Sequence, residues 1–148
     1  MDDRFHKQAK LVERICRITT YLVPDKLGVD VYFINKEDHE NKSLREKDID
    51  SLMDSFEPDG PTELGYNLDR KILKPLIYDV VEGGQRLERP LLISIITDGC
   101  PDGAREKEGM FVDVLKQCRK FLREHEYPPT GLYEPTLTSL YVTDEECK

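Results

Sequence analysis

The chain has 148 residues, 35% charged and 38% hydrophobic, with a formal net charge of −8, which points to one domain, 1–148, with a modest core under a heavily charged surface. The acidic balance argues against binding nucleic acid or an anionic membrane, since both need a basic footprint. No apolar run approaches the length of a membrane span, and the start, Met-Asp-Asp-Arg, lacks a signal-peptide pattern, so a cytoplasmic protein is expected. Cys16, Cys100, Cys118 and Cys147 show no C-x-x-C spacing and are expected as free thiols.

Residues 3–22 read as an amphipathic helix with Leu11, Ile15, Ile18 and Leu22 on its apolar stripe. Asp2 or Asp3 can cap its start, and Pro24 and Gly28 end it. Val29–Ile34 is the first expected strand, with Asp30 near its end and Asn35 as the turn residue after it. A polar loop follows, in which His39 is expected to be solvated. Ser43 with Glu46 makes a capping-box pattern for a short helix to about Phe56, burying Ile49, Leu52, Met53 and Phe56.

Pro58-Asp59-Gly60-Pro61-Thr62 reads as a tight turn. Thr62 is the natural N-cap of a helix from Glu63, burying Leu64, Leu68, Ile72, Leu76 and Val80. Pro75 falls inside that pattern, and the penalty for an interior proline, about 3 kcal/mol, predicts a kink or break near Lys74. Residues 91–97 form an apolar run that fits a fully buried strand, and it stops at Asp98-Gly99. A helix over 107–124 carries Phe111, Val114, Leu115, Cys118, Phe121 and Leu122 as its stripe. After a linker at 127–131, residues 136–143 make the last strand, and the polar tail is expected to fray.

Strands alternating with amphipathic helices predict an α/β fold: an open, doubly wound, mostly parallel sheet with helices on both faces. Such sheets place ligands at the carboxyl ends of their strands, where Asp98 falls. Two elements should converge there, Asp98-Gly99 and the turn that carries Thr62. A hydroxyl and a carboxylate at adjacent strand ends suit a hard cation such as Mg²⁺. The same letters also read as an N-cap and a turn residue without a metal.

The order of segments resembles the von Willebrand factor type A domain, in its intracellular fungal and protist-like form. The resemblance rests on Gly28 to Asn35, on Pro58 to Gly65 with its Thr-x-Leu-Gly ending, and on Pro90 to Gly99 with its Ile-Thr-Asp-Gly ending. It implies a three-layer sandwich and a metal-ion-dependent adhesion site built from three loops. Thr62 matches the threonine of the second loop and Asp98 the aspartate of the third. A carboxylate of a partner protein often completes the metal shell. The family's first loop carries Asp-x-Ser-x-Ser, and no such motif occurs in this chain. The sandwich is therefore expected to be truncated, without the first strand. Two protein ligands, one of them neutral, imply weak Mg²⁺ binding at most.

The function that follows is a non-enzymatic module that binds a protein partner, with a partial Mg²⁺ site at Thr62 and Asp98. The alternatives are a Mg²⁺-dependent phosphohydrolase using Asp98 and a structural remnant without activity. Asp30 and Asp98 alone do not make a phosphotransfer set, and there is no nucleophile elbow or glycine-rich phosphate loop. Cys100 directly follows Asp98-Gly99, where a thiol beside a helix N-terminus could be reactive, although an incidental thiol is the ordinary case.

Overall fold

A computed structural model describes residues 3–22, 28–36, 42–55, 59–87, 91–97, 100–127 and 136–141. The chain mixes helix and strand, with helix predominating. Its packing falls into two units, Met1–Gly60 and Pro61–Lys148. No described helix is long and apolar enough to cross a membrane.

In the first unit, α1 (Asp3–Leu22) packs on α2 (Glu46–Asp54). The core is Cys16, Ile49 and Met53, with Ala9, Val12, Val29, Val31, Phe33 and Leu44 against it. The inward stripe of α1 is therefore Ala9, Val12 and Cys16, at positions i, i+3 and i+7. The expected stripe is rotated from this one: Leu11 and Ile15 are half-buried, and Ile18 is 58% exposed. These smaller residues pack against Ile49 and Met53 of α2.

Val29–Ile34 does not form a strand. Val29 makes one antiparallel bridge with Leu44, Asp30 to Phe33 carry no regular structure, and Ile34-Asn35 is a turn. A strand is stabilised by successive cross-strand pairs, and the described residues supply one. Asp30 instead accepts the Ser43 N–H at 2.8 Å. Asn35 Nδ2 donates to the Asp59 carbonyl.

This arrangement also moves the start of α2. Ser43 has a φ of 54°, and Leu44 is held in the bridge, so the helix cannot begin at Ser43. The Asp48 carboxylate accepts the Arg45 N–H at 3.0 Å, and the Arg45 carbonyl accepts the Asp48 N–H at 2.8 Å. The reciprocal cap thus sits two residues beyond the Ser43–Glu46 pattern. Ile49 and Met53 are buried as expected, and Leu52 is half-buried.

In the second unit one continuous helical segment begins as α3 (Leu64–Asn67), widens into a π-helical stretch (Leu68–Tyr78) and closes as α4 (Asp79–Glu82). No break occurs near Lys74. Pro75 lies inside the widened stretch, where the turns run from i to i+5; the Asp79 N–H, for example, donates to the Lys74 carbonyl. The change of period moves the core stripe. Leu64 and Leu68 are buried as expected, but the next buried hydrophobic residues are Leu73, Ile77 and Val81. A five-residue step from Leu68 to Leu73 matches the wider turn. An α-helical step would instead have selected Ile72, Leu76 and Val80, which are half-buried.

β1 (Leu92–Thr97) pairs in parallel with β2 (Thr136–Tyr141), with Leu92 opposite Thr136 and Thr97 opposite Tyr141. α5 (Met110–Glu124) lies between them in sequence, which makes a β–α–β unit. The inward face of α5 is Phe111, Val114, Cys118 and Leu122. Leu115 and Phe121 are half-buried beside it. Tyr78 meets Phe121 edge to face at 4.8 Å, which joins α5 to the widened helix.

Candidate functional site

The sequence singles out the rim formed by the Thr62 turn and the loop after β1. Asp98 and Gly99 lie outside the described residues, as do His39, Phe56 and Cys147. Thr62 and the loop from Cys100 onward are described, and the loop is docked on the turn.

Thr62 takes part through its main chain. Its N–H donates to Asp102 Oδ1 at 2.5 Å. Its carbonyl accepts the Leu64 N–H at 2.9 Å and the Asp102 N–H at 3.1 Å. It is not the cap of the helix it precedes, because Glu63 stands at the N-cap position without a side-chain cap bond. The cap comes from far along the chain. Glu106 Oε1 accepts the Gly65 N–H at 3.0 Å, and Oε2 accepts the Tyr66 N–H at 3.1 Å. A carboxylate there satisfies two orphan donors and complements the helix dipole.

Glu63 points inward and is 2% exposed. Its Oε1 accepts the Arg105 N–H at 3.0 Å, and its Oε2 meets Arg105 Nη2 at 2.5 Å. Among the described residues no other polar group reaches Oε2. The hydrogen bond from Arg105 holds the Glu63 carboxyl below its ordinary value, outweighing burial, which pushes the other way. The same guanidinium lies 4.6 Å from the centre of the Tyr66 ring.

Two glycines make this docking possible. A Cβ on Gly65 would stand 2.7 Å from the Phe111 amide nitrogen and 2.9 Å from Glu106 Oε1. The Thr-x-Leu-Gly ending thus has a local reason: α5 and the Glu106 cap approach the backbone where a side chain would be. Gly103 has a φ of 118°, and a Cβ there would strike the Glu63 side chain at 2.5 Å.

Glu63, Asn67 and Lys71 follow at four-residue spacing along the helix, and all three are buried. Asn67 Nδ2 donates to the Glu63 carbonyl at 2.8 Å. None of these three, nor Asp102, Arg105 or Glu106, stands out as a site residue from the sequence alone. The available signal was a charged loop, Asp102 to Glu106, set directly between a buried strand and a helix.

The donor chemistry limits what the rim can hold. Asp102 is bound to the Thr62 amide, Glu63 to Arg105, and Glu106 to two helix amides. Each of these carboxylates thus already has a structural partner in the docking of the loop on the turn. Among the described residues no group of three or more His, Cys, Asp or Glu side chains is placed to hold a metal ion. Cys16 and Cys118 are free and buried. Cys100 is disulfide-bonded, which corrects the expectation of free thiols and leaves no thiolate there to act as a nucleophile.

No family model, no curated protein and no solved structure matches the chain.

Proposed function

We propose that the chain is a non-enzymatic interaction module of the type A kind. In this reading β1 and β2 belong to an open, doubly wound parallel sheet. A protein partner binds at the rim that carries Thr62 and Asp98. A Mg²⁺-class ion contacts Thr62 Oγ1 and Asp98 directly or through water, and an acidic side chain of the partner takes an open position.

The observation that carries the reading is the docking of the loop after β1 onto the Thr62 turn, through Asp102, Glu63–Arg105 and Glu106. It brings together the two segments whose meeting the rim requires. The β1–α5–β2 order and its parallel register support the sheet.

The test is a Mg²⁺ titration by calorimetry on the full chain, with Asp98→Ala and Thr62→Ala as controls. Saturable binding that Asp98→Ala removes is the expected result. No heat at millimolar Mg²⁺ overturns the metal part of the reading. Mg²⁺-dependent turnover of a generic phosphate ester that requires Asp98 overturns the non-enzymatic part.

A further inference from the structure

We propose that residues 101–106 are a strap that opens and closes as one unit on the turn at 61–66, with the Glu63–Arg105 ion pair as its clasp.

Two features of the strap point to this. The first is what holds it. Every residue from Pro101 to Arg105 is exposed, and Glu106 is half-buried. No apolar side chain of the strap is buried, so beyond the disulfide at Cys100, which anchors the chain just before it, its attachment is polar: the Asp102 bonds to Thr62, the clasp, and the Glu106 bonds to Gly65 and Tyr66. A segment attached in this way belongs to the low-stability end of a fold and can open without global unfolding.

The second feature is that the contacts depend on one another. Carboxylates reach across in both directions, Glu63 toward the strap and Asp102 and Glu106 back toward the turn. Lifting Arg105 alone would leave Glu63 Oε2 buried with no polar group of the described residues in reach. A buried charge stripped of its partner is strongly unfavourable. Lifting Glu106 alone would strip two helix amides of their acceptor. Partial opening is therefore penalised at either end. Full opening lets water reach all three carboxylates. Arg105, already 54% exposed, does not have to leave a core.

Tyr66 on the helix faces the Arg105 side of the clasp, while Asp102 and Glu106 on the strap bond to the main chain of the turn on either side of Glu63. Opening would also free the Thr62 main chain. The link between opening and access to the rim rests on the functional reading above, whereas the strap itself does not.

Native-state hydrogen exchange, read by NMR on the full chain without metal or partner, tests the proposal. The probes are the amides of Thr62, Gly65, Tyr66, Asp102 and Arg105. In the wild type these five should share one opening free energy, below that of the core amides around Leu73. Arg105→Ala and Glu106→Ala should each speed exchange at all five by about tenfold or more, since each deletes hydrogen bonds to a charged group. The amides of β1 and α5 should keep their protection, which shows that the variants fold. Should a variant fail to fold, the wild-type exchange in rising urea decides the matter: the five amides must converge on one sub-global opening. The proposal is overturned if each variant affects its own partner alone, or if the five amides exchange only with the core. Neither outcome touches the Mg²⁺ titration, so the failure of the strap and the failure of the rim are separable.

Discussion

Of the three stretches that read as strands, two pair with each other and one does not form a strand. Val29–Ile34 and Leu92–Thr97 are both rich in β-branched and aliphatic residues. Leu92–Thr97 pairs in parallel with Thr136–Tyr141 along its full length. Val29–Ile34 makes one bridge, to Leu44, and its polar neighbours Asp30 and Asn35 bond to Ser43 and Asp59 instead. The difference shows that β propensity is realised by a partner and a register, not by the run of residues alone.

The units that hold these stretches differ in the same sense. The first is organised by helix packing and single tethers around Cys16, Ile49 and Met53. The second has a widened helix, a parallel pair and a loop bound back on a helix start. The sharpest way to press the comparison is to empty the core of each. Leu73→Ala removes a fully buried side chain from the widened stretch and should destabilise the second unit by about 2–5 kcal/mol in urea unfolding. Ile49→Ala should fall at the low end of that range, because its small cluster, shared with half-buried residues, can relax around the loss. Equal losses in both units would remove the distinction.

Gly65→Ala comes next. The added methyl would meet the Phe111 backbone, which has no flexible end to move, so a loss of about 1–3 kcal/mol is expected. A neutral result would mean that α5 does not approach as closely as described.

The caps give a smaller contrast. Glu106→Ala removes a long-range cap of two amides and should cost about 1–2 kcal/mol, whereas Asp48→Ala removes an exposed local one and should cost about 0.5–1 kcal/mol. Thermal unfolding of the two variants side by side is sufficient to rank them. The reverse order would contradict the view that the second unit is held by non-local polar contacts.

The smallest effect concerns pH. Arg105 depresses the Glu63 carboxyl in the folded state, so its contribution is fully present above the ordinary carboxylate value. It is lost as pH falls through the lowered value. Acid titration of the wild type and Arg105→Ala should therefore show the variant losing less stability between neutral pH and the acid limb. Parallel curves would mean that the clasp does not titrate as a pair.

Much of the fold is legible in the sequence. The burial of Phe111, Val114, Cys118 and Leu122 follows from helical spacing, and β1 follows from its apolar run, but the strand is not fully buried as that run implies: Leu92 is 49% exposed, Ser94 to Ile96 are half-buried, and Ile93 and Thr97 are buried. Past Leu68 the stripe is illegible, because the chain leaves the 3.6-residue period and runs in wider turns through Pro75. Val29–Ile34 reads as a strand and is not one, because a sequence window shows propensity but not the partner. At the rim, Thr62 could be located from its turn, but its docking could not. Asp102 and Glu106 act on residues 40 or more positions earlier, and local pattern carries no trace of such a contact. Gly65 belongs to a sequence motif whose reason, the approach of Phe111 and Glu106, lies in the tertiary packing.

The central functional claim is that a divalent cation binds at the rim around Thr62 and Asp98. Paramagnetic Mn²⁺ in place of Mg²⁺, titrated into the full chain and followed by amide NMR, tests it most directly. The account predicts that broadening appears first at Thr62, Glu63 and Asp102, saturates, and disappears in Asp98→Ala. Broadening spread over the acidic surface, or unchanged in that variant, would contradict it.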